Sequence, residues 1–124
     1  MNPRPEILLV EDNPDTVSFL ARRLEEEGYT VRVARDGQVA REAIAEAVPA
    51  AVVMDINLPV VNGDELAREI RRNPRTAALP VVFVTAESEE RVQDLLEPGR
   101  TLCLEKAIKT RALLTALSQV LEAS

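Results

Sequence analysis

Apolar residues run along this chain in two alternating rhythms, and the alternation itself outlines a fold. Ile7-Leu8-Leu9-Val10, Ala51-Val52-Val53-Met54 and Pro80-Val81-Val82-Phe83-Val84 are short unbroken runs bounded by acids, turn residues or proline. Such runs read as strands buried on both faces, like the central strands of a parallel sheet. Between them the period lengthens. Val17, Leu20, Ala21 and Leu24 recur at i, i+3, i+4 and i+7, which predicts one apolar helical face. Asn13-Pro14 opens that helix with an Asx cap and a proline at the first helical position, and Gly28 supplies its stop.

The remaining segments repeat this alternation. Tyr29 to Ala34 alternates polar and apolar with period two, as a half-exposed edge strand should. Asp36-Gly37 turns into a helix whose apolar side is Val39 or Ala40 with Ala43, Ile44 and Ala47, closed by Pro49. Leu58 to Gly63 reads as a loop, and Leu66, Ala67 and Ile70 mark a helix that stops before Pro74. Ser88 caps a short helix through Leu96, broken by Pro98-Gly99, and Thr101 to Leu104 is a weaker fifth strand. Thr110 opens a last helix carrying Leu113, Leu114, Leu117, Val120 and Leu121. Five βα units in strict alternation imply an α/β fold: a parallel sheet with helices on both faces.

Composition narrows the class. At 124 residues, with 46% hydrophobic and 29% charged residues, the chain fits a single globular domain over 1–124. A net charge of −6 argues against a nucleic-acid surface, and no apolar run approaches the ~20 residues of a membrane span. The polar N-terminus lacks a signal-peptide pattern and Cys103 is the only cysteine, so a cytoplasmic setting is expected. The chain has no histidine, which excludes Ser-His-Asp catalysis, histidine-ligated zinc and a phosphohistidine carrier.

The chemistry gathers where strands end. The four strands other than the edge strand are followed by Glu11-Asp12, Asp55, Thr85 and Lys106, and in open α/β sheets the carboxyl edge is where ligands bind. Three carboxylates brought together repel unless a cation neutralises them, and oxygen-only ligands favour Mg²⁺ or Mn²⁺ over zinc. Carboxylates around a metal, with a hydroxyl donor and a lysine, suit a phosphoryl group. Asp55 follows the most central apolar run and is the candidate nucleophile, with Thr85 and Lys106 placed to stabilise the phosphoryl oxygens. Each residue also has a plainer reading. Glu11-Asp12 could serve a helix dipole, Thr85 a cap, Lys106 a solvated surface and Cys103 an inert core.

Taken together, Val10-Glu11-Asp12-Asn13, Met54-Asp55-Ile56-Asn57-Leu58-Pro59 with Asn62-Gly63, Thr85-Ala86 and Gly99 through Lys106 resemble a response-regulator receiver domain over essentially the whole length. The resemblance implies a flavodoxin-like (βα)5 three-layer sandwich with sheet order 2-1-3-4-5. It implies that Asp55 accepts a phosphoryl group from the phosphohistidine of a sensor histidine kinase or phosphotransfer protein. Glu11, Asp12 and Asp55, with the backbone carbonyl of Asn57, would bind Mg²⁺, and Thr85 and Lys106 would contact the phosphoryl group. The domain would signal to a downstream protein partner and would not be an enzyme in the ordinary sense. A stand-alone receiver with no output domain is expected, and the surplus of leucines on the last helix suits a partner or homodimer surface.

Three positions depart from the family pattern. Cys103 stands where an aromatic switch residue is usual, and Ala107 where proline usually follows the lysine, so a trans Lys106-Ala107 bond is expected. Arg100, in place of the usual small residue, alters the expected output surface. Cys103 and Ala107 motivate an alternative, a constitutive interaction module that keeps the pocket without using it. A Mg²⁺-dependent phosphohydrolase similar to haloacid-dehalogenase-like enzymes would need an acid at Asn57 and its nucleophile on the first strand. Neither holds here.

Overall fold

The computed structural model describes residues 4–55, 58–85 and 101–105, with 115, 117–119 and 121 of the last helix. Five parallel strands form one sheet in the order β2-β1-β3-β4-β5: β1 Glu6–Val10, β2 Thr30–Ala34, β3 Ala51–Met54, β4 Val81–Thr85 and β5 Thr101–Glu105. The helices between them are α1 Pro14–Glu26, α2 Gly37–Glu46 and α3 Gly63–Arg72. This is the expected order, and the all-buried runs occupy its centre.

Strand alternation divides the core into two. Leu8, Val10, Val52, Met54, Val81 and Phe83 pack with Ala40 and Ile44 of α2 and Leu66, Ala67 and Ile70 of α3. Ile7, Leu9, Ala51, Val53, Val82 and Val84 point the other way, onto Val17, Leu20 and Leu24 of α1 and onto Leu117. Side chains of successive strand residues face opposite sides, so β1, β3 and β4 need helices on both. Three layers result.

Local chemistry sets the element ends. Asn13 Oδ1 accepts from the backbone N–H groups of Asp15 and Thr16, at 2.9 and 3.2 Å, and Pro14 occupies the first turn. Gly28, at φ +96, lets the chain leave α1 through a left-handed residue. Asp36 caps α2 by accepting from the Val39 N–H at 2.8 Å. The open choice between Val39 and Ala40 resolves to Ala40, which is fully buried, while Val39 is exposed.

The edge strand departs from the expected alternation. Val33 is exposed, whereas Arg32 is half-buried. Arg32 compensates with three acceptors: Glu6 Oε1 at 2.8 Å, the Ala43 carbonyl at 3.0 Å and the Ala47 carbonyl at 2.6 Å. A planar guanidinium can serve a carboxylate and a helix C-terminus together, so the residue with the polar pattern turns inward. Between the helices, Arg41 holds Glu69 through two bonds of 2.8 and 2.6 Å, and this bonding keeps the guanidinium protonated above its ordinary range.

Several expectations fall on residues outside the described set. These are the helix from Ser88 to Leu96, Pro98-Gly99, Arg100, the Lys106-Ala107 bond, Thr110, and Leu113, Leu114 and Val120 of the last helix. Among the described residues, no helix is long and apolar enough to cross a membrane, and no peptide bond is cis.

Candidate functional site

Parallel pairing carries the first and third strands to a common end. Val10 lies opposite Met54, and the ladder continues one step further, because the Asp55 N–H donates to the Val10 carbonyl at 3.2 Å. On the other side of β1, the Glu11 N–H donates to the Ala34 carbonyl at 3.0 Å, so Glu11 leaves the strand still held by the sheet. Both acids are thereby fixed by backbone bonds. Their side chains are almost enclosed, with 3% of Glu11 and 5% of Asp55 exposed, while Asp12 faces solvent.

Ligand oxygens of Glu11, Asp12 and Asp55 lie within 4.8 Å of one another. Two ionised carboxylates at such a separation repel by roughly 3 kcal/mol at an effective dielectric constant near 20. Glu11 also accepts a bond from the Asn13 N–H at 3.2 Å, which ties its carboxylate to the residue that caps α1. The positive end of that helix dipole therefore favours anions here, as the plainer reading of Glu11-Asp12 supposed. It does not account for Asp55, which comes from a different strand. A rigid, oxygen-only, three-carboxylate donor set with one exposed side fits a hard divalent ion that keeps several waters.

The other candidates divide by position. Thr85 is the last residue of β4, and Phe83 of that strand pairs with Met54, so Thr85 sits at the same carboxyl edge. Its backbone pairs with Glu105, the last residue of β5, which puts the end of β5 at that edge too. Asn57, and Lys106 directly after Glu105, lie outside the described residues. Cys103 is placed in β5 opposite Phe83.

One feature of the site had no counterpart in the pattern of the sequence. Beyond Asp55, the Val61 N–H donates to the Pro59 carbonyl at 2.8 Å around Val60, whose φ is +70. This is the rare, strained form of γ-turn, and a β-branched residue there is an outlier. The same Pro59 carbonyl accepts from the Gly37 N–H at 3.2 Å. Pro59 and Asn62-Gly63 signal a turn, but a contact with the start of α2, more than twenty positions earlier, leaves no local trace.

Comparison with known proteins agrees with this geometry. The response regulator receiver domain profile matches residues 7–118. A probable cyclic di-GMP phosphodiesterase of Vibrio cholerae is 36% identical over 89 residues, which is 72% of this chain and 20% of that protein. The chain likewise spans 9% and 38% of the length of two further curated relatives. Among solved structures, the receiver domain of a Pseudomonas aeruginosa sensor histidine kinase, with a magnesium ion coordinated in its active-site cleft, superposes with a TM-score of 0.85. It is 31% identical, covering 96% of this chain and 98% of that one. A chemotaxis response regulator of Vibrio cholerae gives a TM-score of 0.85 at 27% identity, covering 94% and 98%. A sheet of this order with three acids at its carboxyl edge, matched by the profile over nearly its whole length, places the chain in the response regulator receiver domain family of two-component signalling.

Proposed function

We propose that the chain is a Mg²⁺-dependent phosphoacceptor switch, with Asp55 as the acceptor. The observation that carries this reading is the convergence of Glu11, Asp12 and Asp55 from two strands onto one nearly closed corner. The proposed donor is the phosphohistidine of a sensor histidine kinase or phosphotransfer protein. An Asp55 carboxylate oxygen attacks phosphorus and an O–P bond forms. The P–N bond breaks and its electron pair returns to the imidazole nitrogen; a ring protonated at its other nitrogen leaves as neutral imidazole, and an unprotonated ring takes a proton from water. Glu11, Asp12 and Asp55, with the Asn57 carbonyl, would hold the Mg²⁺, which would offset the repulsion between the carboxylates and the incoming phosphoryl group.

Burial of Asp55 fixes its direction of attack, and its backbone bond to Val10 limits how far it can retreat. Thr85 and Lys106 are proposed to contact the phosphoryl oxygens, the threonine through its hydroxyl and the lysine as a point charge. The phosphorylated form then presents a changed surface to a downstream protein. Autophosphorylated histidine kinases from the same cell, mixed one at a time with this protein, test the donor class. Transfer of label from at least one, lost in Asp55→Asn, is the expected result. Failure of every kinase that does label another receiver would reject it.

A second reading has its own support. Cys103 and Ala107 replace the aromatic and the proline of the family pattern, and the chain has only 2% aromatic residues. Under that reading the pocket is kept while partner binding ignores it. Partner affinity measured with and without beryllofluoride separates the two. An affinity that rises with the mimic supports the switch, and an unchanged one supports the constitutive module.

A further inference from the structure

Two of the glycines are required for opposite physical reasons. Gly28 has a φ of +96 and nothing within 4 Å of where a Cβ would stand, so it is needed for backbone freedom and not for room. Gly37 has no positive φ and is buried, so any residue could adopt its backbone. What it lacks is space. A Cβ there would overlap the Val61 carbonyl oxygen and lie 2.6 Å from the Val61 Cβ and 2.8 Å from its carbonyl carbon. Two of those three atoms are backbone, which cannot swing aside as the end of a long side chain can.

This contact falls on the loop that leaves Asp55. Pro59 is four residues past the acceptor, and its carbonyl receives both the Gly37 N–H and the Val61 N–H. Val60, between them, is held at φ +70 although it is 79% exposed and has little packing of its own. A strained conformation persists only where its surroundings impose it. Val61 is buried in the core between the sheet, α2 and α3, and Gly37 closes over its backbone.

We infer that Gly37 is a positioning residue for the phosphoacceptor site: by lacking a Cβ it lets residues 59–61 seat against the first turn of α2, and so sets the path of the chain leaving Asp55. The inference rests on the proposed metal and acceptor roles and adds a residue from a different βα unit that touches neither metal nor phosphate. α2 and the acceptor loop then form one mechanical unit. A change at either is felt at the other.

Gly37→Ala and Gly28→Ala in the full chain provide the test, with urea unfolding and calorimetric titration of Mg²⁺ alone. Both variants are expected to lose stability. Only Gly37→Ala is expected to weaken Mg²⁺ binding, by about tenfold, the lower end of what losing a group that supports a metal ligand costs. Folded Gly37→Ala that binds Mg²⁺ as tightly as the parent overturns the inference. If Gly37→Ala does not fold, Mg²⁺ titration of the parent followed by amide resonances decides. The Gly37 amide is expected to shift with the same midpoint as Asp55 while Gly28 stays still, and a silent Gly37 overturns the inference. Absence of any Mg²⁺ binding by the parent would overturn the metal reading itself, a different failure from parental binding with an indifferent Gly37.

Discussion

The two ends of β1 carry the same chemical group and treat it in opposite ways. At the amino end, Glu6 meets Arg32 of the neighbouring strand at 2.8 Å, and the same guanidinium serves the Ala43 and Ala47 carbonyls at the end of α2. At the carboxyl end, Glu11 meets two more acids, Asp12 and Asp55, within 4.8 Å. A fold selected for stability alone would treat both ends like the first. Gathering like charges in a nearly closed corner disfavours the folded chain, and such arrangements concentrate at functional sites. The contrast makes the amino end a structural clamp and the carboxyl end the place where the proposed Mg²⁺ would be held.

The largest expected effect lies at the acidic end. Asp12→Asn together with Glu11→Gln should weaken Mg²⁺ binding by more than the roughly 10- to 100-fold that loss of a hydrogen-bond partner to a metal ligand costs. Titration calorimetry measures it, and retention of parental affinity would remove these acids from the metal site. Next, Mg²⁺ at about 100 times its dissociation constant should add about 2.7 kcal/mol of stability to the parent by mass action. Asp55→Asn should gain less from the ion in the same urea unfolding, because one of the three carboxylates is gone. An equal gain in both proteins would mean that the ion binds elsewhere.

Much of this was legible because it is local. Asn13-Pro14 announces a capped helix in adjacent residues, and the hydrophobic runs at 7–10, 51–54 and 81–84 mark strands that need two covered faces whatever lies beside them. Their parallel pairing follows from alternation with helices, and with it the meeting of Glu11, Asp12 and Asp55. Position in the sheet overrode pattern at the edge, where Arg32 found three acceptors and Val33 was left exposed. The Gly37 contact was illegible for a related reason. Asp36-Gly37 reads as a turn on its own terms, and only the folded chain shows that Val61 occupies the room a side chain would need.

The amino end should respond in stability and not in metal affinity. Arg32→Met removes hydrogen bonds from a charged group to a carboxylate and to helix-end carbonyls, an effect of about 1 to 3 kcal/mol in urea unfolding. Its Mg²⁺ affinity should match that of the parent, and a joint fall in both would show that the two ends are coupled. Smallest is the Arg41–Glu69 pair between α2 and α3, which is partly exposed. Glu69→Gln should lower the thermal midpoint slightly, and less so at high salt.

The proposed switch turns on the side chain at position 55 taking the phosphoryl group. Exposing the protein to a small phosphodonor with Mg²⁺, then locating the modification by peptide mass mapping after borohydride reduction of the acyl phosphate, tests it directly. One modified residue, Asp55, is expected, and none when Mg²⁺ is chelated. Modification elsewhere with Asp55 untouched, or an Asp55→Asn protein labelled to the parental extent, would contradict it.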